Sequence, residues 1–235
     1  MKNLLLLLLT ITTLKAAGQN HIIGVKGGAT WTNVASSNFL KETDDRTGVT
    51  AGLTYEYLLN KYFSVGADLI YSQKGFTSDL LFANQAWPGG LQSETIQFGY
   101  DYLSLPVKAG FNVGNKLYGF MNIGVVPSLL VNARTIRPLI NANGEKTGSS
   151  VFNATSVARK FDFAGLAEIG GGYKIKNRFW VFASFTFESS FTTITNSDYF
   201  PGSKIKNYGM ALALGLKCPL AKGNPGSSAE RQSHK

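Results

Sequence analysis

Hydrophobic and polar residues alternate along most of this chain. Residues 100–126 show it best, reading YDYLSLPVKAGFNVGNKLYGFMNIGVV. Leu103, Leu105, Val107, Ala109 and Phe111 are apolar, whereas Ser104, Pro106, Lys108 and Gly110 between them are small, polar or charged. A period of two is that of a strand with one greasy face and one mixed face. Asn112-Val113-Gly114-Asn115-Lys116 is a polar turn with a Gly that can take a positive φ. A further strand starts at Leu117, so the stretch predicts a hairpin.

Six more segments repeat the pattern. Residues 21–33 set Ile23, Val25, Ala29 and Trp31 against Gly24, Lys26, Gly28, Thr30 and Thr32. The second segment sets Val49, Ala51, Leu53, Tyr55 and Tyr57 against Thr50, Gly52, Thr54 and Glu56. The third sets Phe63, Val65, Ala67, Leu69 and Tyr71 against Ser64, Gly66, Asp68 and Ser72. The hairpin supplies the fourth and fifth, the fifth being apolar on both faces through Tyr118, Phe120 and Val126. The sixth, residues 160–173, sets Phe161, Phe163, Ala167 and Ile169 against Asp162, Ala164 and Glu168. The seventh sets Phe179, Val181, Ala183, Phe185 and Phe187 against Trp180, Phe182, Ser184, Thr186 and Glu188. The eighth sets Tyr208, Met210, Leu212, Leu214, Leu216 and Cys218 against Gly209, Ala211, Ala213, Gly215 and Lys217, and Pro219 ends it.

The connections alternate as well. Links after segments two, four and six are short, at residues 60–61, 112–116 and 174–177. The others read as long loops over residues 36–46, 74–97, 132–158 and 191–205, the second broken by Trp87-Pro88-Gly89-Gly90. An up-and-down antiparallel barrel with short turns at one rim and long loops at the other is the plan of outer-membrane barrels. Segments of about ten alternating residues also match a tilted membrane crossing. Tyr55, Tyr57, Tyr62, Phe63, Phe111, Tyr118, Tyr173, Phe179 and Trp180 collect near the short turns, where an interfacial girdle belongs.

The front of the chain agrees. Lys2, an apolar run over residues 4–14 broken by Thr, and Ala16-Ala17-Gly18 read as a secretory signal peptide over residues 1–18, leaving Gln19 first. The barrel domain is then expected over residues 19–218, and residues 219–235, rich in Gly, Ser and charge, as a disordered tail. Losing Lys2 and Lys15 takes 23 basic residues to 21 against 14 acidic, a net +7. Those charges are scattered and form no basic face, so no nucleic-acid partner is expected. The single Cys218 excludes an internal disulfide. A secreted soluble barrel would turn the greasy face inward. Against it, the other face is mostly Gly, Ala, Ser and Thr, poor for a surface in water.

In detail the chain resembles the Bacteroidetes-type outer-membrane β-barrel domain, the PorT-like "porin family" barrels. The resemblance rests on GVKGGATWTNV, DYLSLPVKAGF, NIGVVPSLLVNAR, FDFAGLAEIGGGYKI and YGMALALGLK, and covers nearly all of the mature chain. It places Pro106 inside a strand. It also matches Asn207, Gly209, Leu212 and Leu214 to the pattern read by the barrel-insertion machinery, although the last strand ends in Cys218 rather than an aromatic residue. Most members have no assigned activity.

No catalytic constellation accompanies the fold. His21 lies by the N-terminus and His234 in the tail, neither near an outer mouth. Residues 144–149, GEKTGS, lack the spacing of a phosphate loop. Asp44-Asp45 reads as a solvated pair, and Asn153-Ala154-Thr155 as a chance sequon. No metal set, nucleophile or cofactor box is present in the sequence.

The expectation is therefore an all-β, eight-stranded antiparallel transmembrane barrel of the bacterial outer membrane. It is expected to be a non-enzymatic scaffold without a cofactor, in contact with outer-membrane lipid and, through its long loops, with an envelope or extracellular partner. An accessory part of a secretion or gliding apparatus, a small transport pore and a soluble lipocalin-like binder remain as alternatives. Eight strands leave a lumen only wide enough for side chains or one small ligand. The inward face should carry Lys26, Glu56, Asp68, Lys108, Glu168 and Lys217 as a self-neutralising ion-pair cluster, since an unpaired buried charge costs several kcal/mol or more.

Overall fold

The computed structural model describes residues 20–36, 43–83, 91–141, 146–175, 179–194 and 204–220. The expected signal peptide, the loop positions Trp87 and Asn143, and the tail beyond Leu220 lie outside them.

The described chain is all strand and turn. Its strands are β1 (His21–Ser36), β2 (Asp44–Leu58), β3 (Phe63–Ala83), β4 (Leu91–Ser104), β5 (Val107–Gly114), β6 (Leu117–Ile140), β7 (Lys146–Asn153), β8 (Phe161–Ile175), β9 (Phe179–Ser190) and β10 (Ile205–Pro219). All pairings are antiparallel, and the ladder runs β2-β1-β10-β9-β8-β6 and then through β4 and β5 to β3, which returns to β2. β4 and β5 form one stave interrupted at Leu105-Pro106: β3 pairs with β4 above the break and with β5 below it. Pro106 has no N–H, but its carbonyl accepts from Asp68 N at 2.9 Å and Leu105 N donates to Pro127 O at 2.9 Å, so the ladder is not lost. β7 pairs only with β6, as the return arm of a hairpin. The described strands therefore close into a ring of eight staves, with β7 standing outside it.

The alternation sorts as expected. Val25, Leu53, Leu69, Leu105, Ile123, Ile169, Phe185 and Leu214 stand exposed on the outside, while Asp68, Ser104, Glu168, Ser184 and Lys217 on the opposite parity are buried. This inversion of the usual soluble pattern is what a lipid solvent requires. Gly114 turns the β5–β6 hairpin with φ +97°.

Four expectations need correction. The loop expected over residues 74–97 is mostly strand: β3 runs on to Ala83 and β4 starts at Leu91. The loop expected over residues 132–158 contains the end of β6 and all of β7. Tyr118 and Trp180 do not join the outer girdle; Tyr118 is buried in the lumen and Trp180 packs against it. Finally, β10 reaches one residue past Cys218 and ends at Pro219, which lies opposite Ile22, and Leu220 N donates to His21 O at 2.8 Å.

Candidate functional site

The interior is filled in layers. At the rim of the short turns, Tyr118, Phe120 and Phe182 are buried together with Trp180 against them. Phe120 meets Phe182 edge-on at 6.0 Å, and Tyr118 lies 5.5 Å from Trp180. Glycines on the facing staves make room: a Cβ on Gly170 would collide with Phe120, one on Gly215 with Phe182, and one on Gly172 would sit 2.7 Å from Tyr118 Oη.

The six expected charged residues lie above this aromatic floor, in two sets. Lys217 Nζ lies 2.7 Å from Glu56 Oε2 and also sits over the rings of Phe120 and Phe182, at 5.0 and 4.9 Å from their centroids. Asn112 Nδ2 donates to Glu56 Oε1 at 3.4 Å. The other four residues form a quartet. Lys26 reaches Asp68 at 3.0 Å and Glu168 at 3.2 Å, and Lys108 reaches the same two at 2.7 and 3.1 Å. Asn122 Nδ2 donates to Glu168 Oε2 at 2.7 Å. Each lysine thus bridges both carboxylates, and four staves (β1, β3, β5 and β8) are tied across the lumen. A cavity of about 20 Å³ remains between the two sets, about the room one water needs.

A third pair lies higher still. Lys74 Nζ donates to Glu188 Oε2 at 2.7 Å and lies 5.6 Å from the Tyr102 ring centroid. Beside it Asp162 accepts from Ser190 Oγ at 2.8 Å and from Thr192 Oγ1 at 2.7 Å. The alternation puts Glu188 on the inward face, but Lys74 falls in the stretch that reads as a loop. The signal was there: Lys74 continues the inward parity of Ser64, Gly66, Asp68 and Ser72. A second cavity, of about 40 Å³, adjoins Ser72, Lys74, Thr186 and Glu188. The outer end is closed by Val34, Phe76, Ile194 and Ile205, with Phe98 and Tyr100 against them. Phe76 and Phe98 stack at 4.7 Å.

Chemically, the lumen is a hydrogen-bonded plug in which four lysines face five carboxylates, Asp162 being the acid without a lysine contact of its own among these ion pairs. Among the described residues, no three His, Cys, Asp or Glu are placed to hold a metal ion. His21 Nδ1 lies 2.8 Å from Tyr55 Oη at the short-turn rim, at the opposite end from the Phe76 cap. Asp45 Oδ1 accepts from Asn33 Nδ2 at 2.9 Å, and Asn153 Oδ1 accepts from Thr155 N at 2.9 Å.

Comparison with known proteins places this architecture. Residues 17–196 match the family described as the outer membrane protein β-barrel domain. No protein of curated function matches the sequence. Among solved structures, the chain is similar to Neisserial surface protein A (10% identity, 84% of this chain and 97% of that one, TM-score 0.45). It is also similar to the outer membrane protein OprG from Pseudomonas aeruginosa (12% identity, 85% and 97%, TM-score 0.44). The attachment invasion locus protein Ail of Yersinia pestis, solved with the heparin analogue sucrose octasulfate, is a third (13% identity, 84% and 99%, TM-score 0.40).

Proposed function

The chain belongs to the outer membrane protein β-barrel domain family, and from that premise we propose that it is a non-enzymatic scaffold, closed to solutes, that presents its outer hairpins to a partner. The protein resides in the bacterial outer membrane. Within that reading, residues 1–18 are removed on export and the mature chain starts at Gln19.

The filled lumen carries the reading. Among the described residues, aromatic rings, three ion-pair sets and the Phe76 cap occupy the lumen, with cavities of about 20 and 40 Å³ between them. A pore needs a continuous polar channel, which larger barrels provide and eight staves do not. The hairpin of β6 and β7 supports the binding role. It exposes Leu139, Val151 and Phe152, and Arg137 lies 5.6 Å from the Phe152 ring centroid. Exposed apolar side chains on a projecting hairpin suit contact with another protein. The same feature fits the second reading, an accessory component of a secretion or gliding apparatus of the PorT-like, Bacteroidetes type.

Purified protein in a planar bilayer tests the scaffold reading: no stable conductance is expected, and steady ion-selective channels from the monomer would replace it with the pore. Crosslinking on intact envelopes separates the two binding roles, because recovery of secretion-machine subunits favours the accessory one.

A further inference from the structure

Two arginines lie side by side on the outside of the barrel, immediately above the greasy belt. The outward residues of β4 change there from Leu103 to Asp101 and Gly99, and those of β3 from Tyr71 to Gln73 and Gly75. Gly75 and Gly99 pair directly across the ladder, with Gly75 at φ +149°. With no side chains of their own, they clear a floor. Arg46 crosses it with its Cζ 3.3 Å from where a Gly99 Cβ would be, and Arg134 with its Nε 3.4 Å from the same point. Like charges this close repel, and something must offset them.

The protein itself offsets them only in part. Asp101 is the adjacent acid, but Arg134 Nη2 stands 3.7 Å from Asp101 Oδ1, too far for a hydrogen bond. Arg134 Nε is buried with no hydrogen-bond partner among the described residues, beside the buried Asp101, so what Arg134 can offer outward is its terminal nitrogens. Arg46 uses Nη1 on the Lys74 carbonyl at 3.0 Å. The second oxygen of Asp101 is already taken by Asn132 Nδ2 at 3.3 Å. Two guanidinium groups against one carboxylate leave a net positive charge with donors to spare, and the Arg134 side chain is 32% exposed.

We propose that Arg46 and Arg134 form a phosphate seat on the outer wall, filled by a phosphate of an outer-leaflet glycolipid. The chemistry is that of a planar guanidinium fork on a phosphate. The position selects the source. Leu103, Leu129 and Val131 expose apolar side chains directly below the seat, so acyl chains lying against them bring their head-group phosphates to the height of the arginines. A soluble phosphate would gain nothing from that wall.

Native mass spectrometry of the folded protein in detergent, with bisphosphorylated lipid A, the same lipid stripped of phosphate, and inorganic phosphate, tests this. Wild type should prefer the bisphosphorylated lipid about tenfold over the stripped one and should not retain inorganic phosphate. Arg46→Gln/Arg134→Gln should abolish the preference while keeping the heat-dependent gel mobility of a folded barrel. Asp101→Asn, which removes the competing carboxylate, should strengthen retention of the phosphorylated lipid. The proposal is overturned by equal retention of both lipids in wild type, by an unchanged preference in the double Gln variant, or by weakened retention in Asp101→Asn. Retention of inorganic phosphate as strong as that of the lipid would overturn the lipid source and leave a seat for a soluble anion.

Discussion

Glu56 shows what parity alone could and could not say about the lumen. The period of two points six charged side chains inward, but it does not say which of them pair. Neighbouring strands suggest Lys26 as the partner of Glu56. The register places Lys26 opposite Gly52, and Glu56 opposite Ile22. That four-residue offset is about 13 Å along the strand. Partners in a closed barrel are set by the stagger between staves, which no single segment encodes. Glu56 instead meets Lys217 from the other side of β1, with side chains 14% and 10% exposed. Glu56→Ala should therefore cost about 3–5 kcal/mol, because Lys217 is left charged in the lumen with only two aromatic faces. Adding Lys217→Met should recover much of that loss; adding Lys26→Met should deepen it, since Lys26 holds the quartet together. Urea unfolding of the four proteins, followed by gel mobility, checks the order. Equal rescue by either Met substitution would show that the two ion-pair sets act as one.

Whole strands were legible wherever they cross lipid and illegible beyond it. On β4, Leu103 points out and Ser104 in; a few residues up, Thr95, Gln97 and Gly99 point out while Ile96, Phe98 and Tyr100 point in. The period of two persists but its phase reverses, because the solvent outside has changed from acyl chains to water. A reading tuned to greasy-out strands stops at that reversal and reports a loop. β6 was hard to read for another reason: Tyr118 and Phe120 are inward aromatics that occupy space left by glycines on β8. That packing gives a test. Gly170→Ala places a methyl group against Phe120 and the Ala183 carbonyl, and should destabilise by about 1–3 kcal/mol. Phe120→Leu in the same chain frees space on one side only, so recovery should be partial. Denaturation midpoints of the two single variants and the double variant would measure the coupling, and strictly additive losses would rule out the contact.

For the molecule as a whole, the length of β6 decides which end faces out. It runs 24 residues, Leu117–Ile140, or about 80 Å of strand path. Even tilted by about 45°, that is well beyond a hydrocarbon core of about 30 Å. One end must project, and the exposed side chains say which. Leu117, Met121, Ile123, Val125, Leu129 and Val131 face outward in sequence, and above them the outward side chains become Asn132 and Arg134. The projecting end is thus the one that carries β7. The other end holds the turn at Asn115-Lys116, the turn at Leu59–Tyr62 and both described termini, with Leu58 N donating to Asn20 O at 2.8 Å and Leu220 N to His21 O. Short turns and termini belong on the periplasmic side of an outer-membrane barrel. An epitope inserted at Asn143 should therefore be labelled by antibody on intact cells, and the same epitope at Asn115 only after the outer membrane is permeabilised. Both variants should keep the heat-dependent mobility of the folded barrel, since position 143 falls between β6 and β7 in the chain and Asn115 in the β5–β6 turn, so no described rung of the ring is broken. Labelling at Asn115 but not Asn143 on intact cells would mean that the barrel sits inverted, with its β6–β7 hairpin turned to the periplasm.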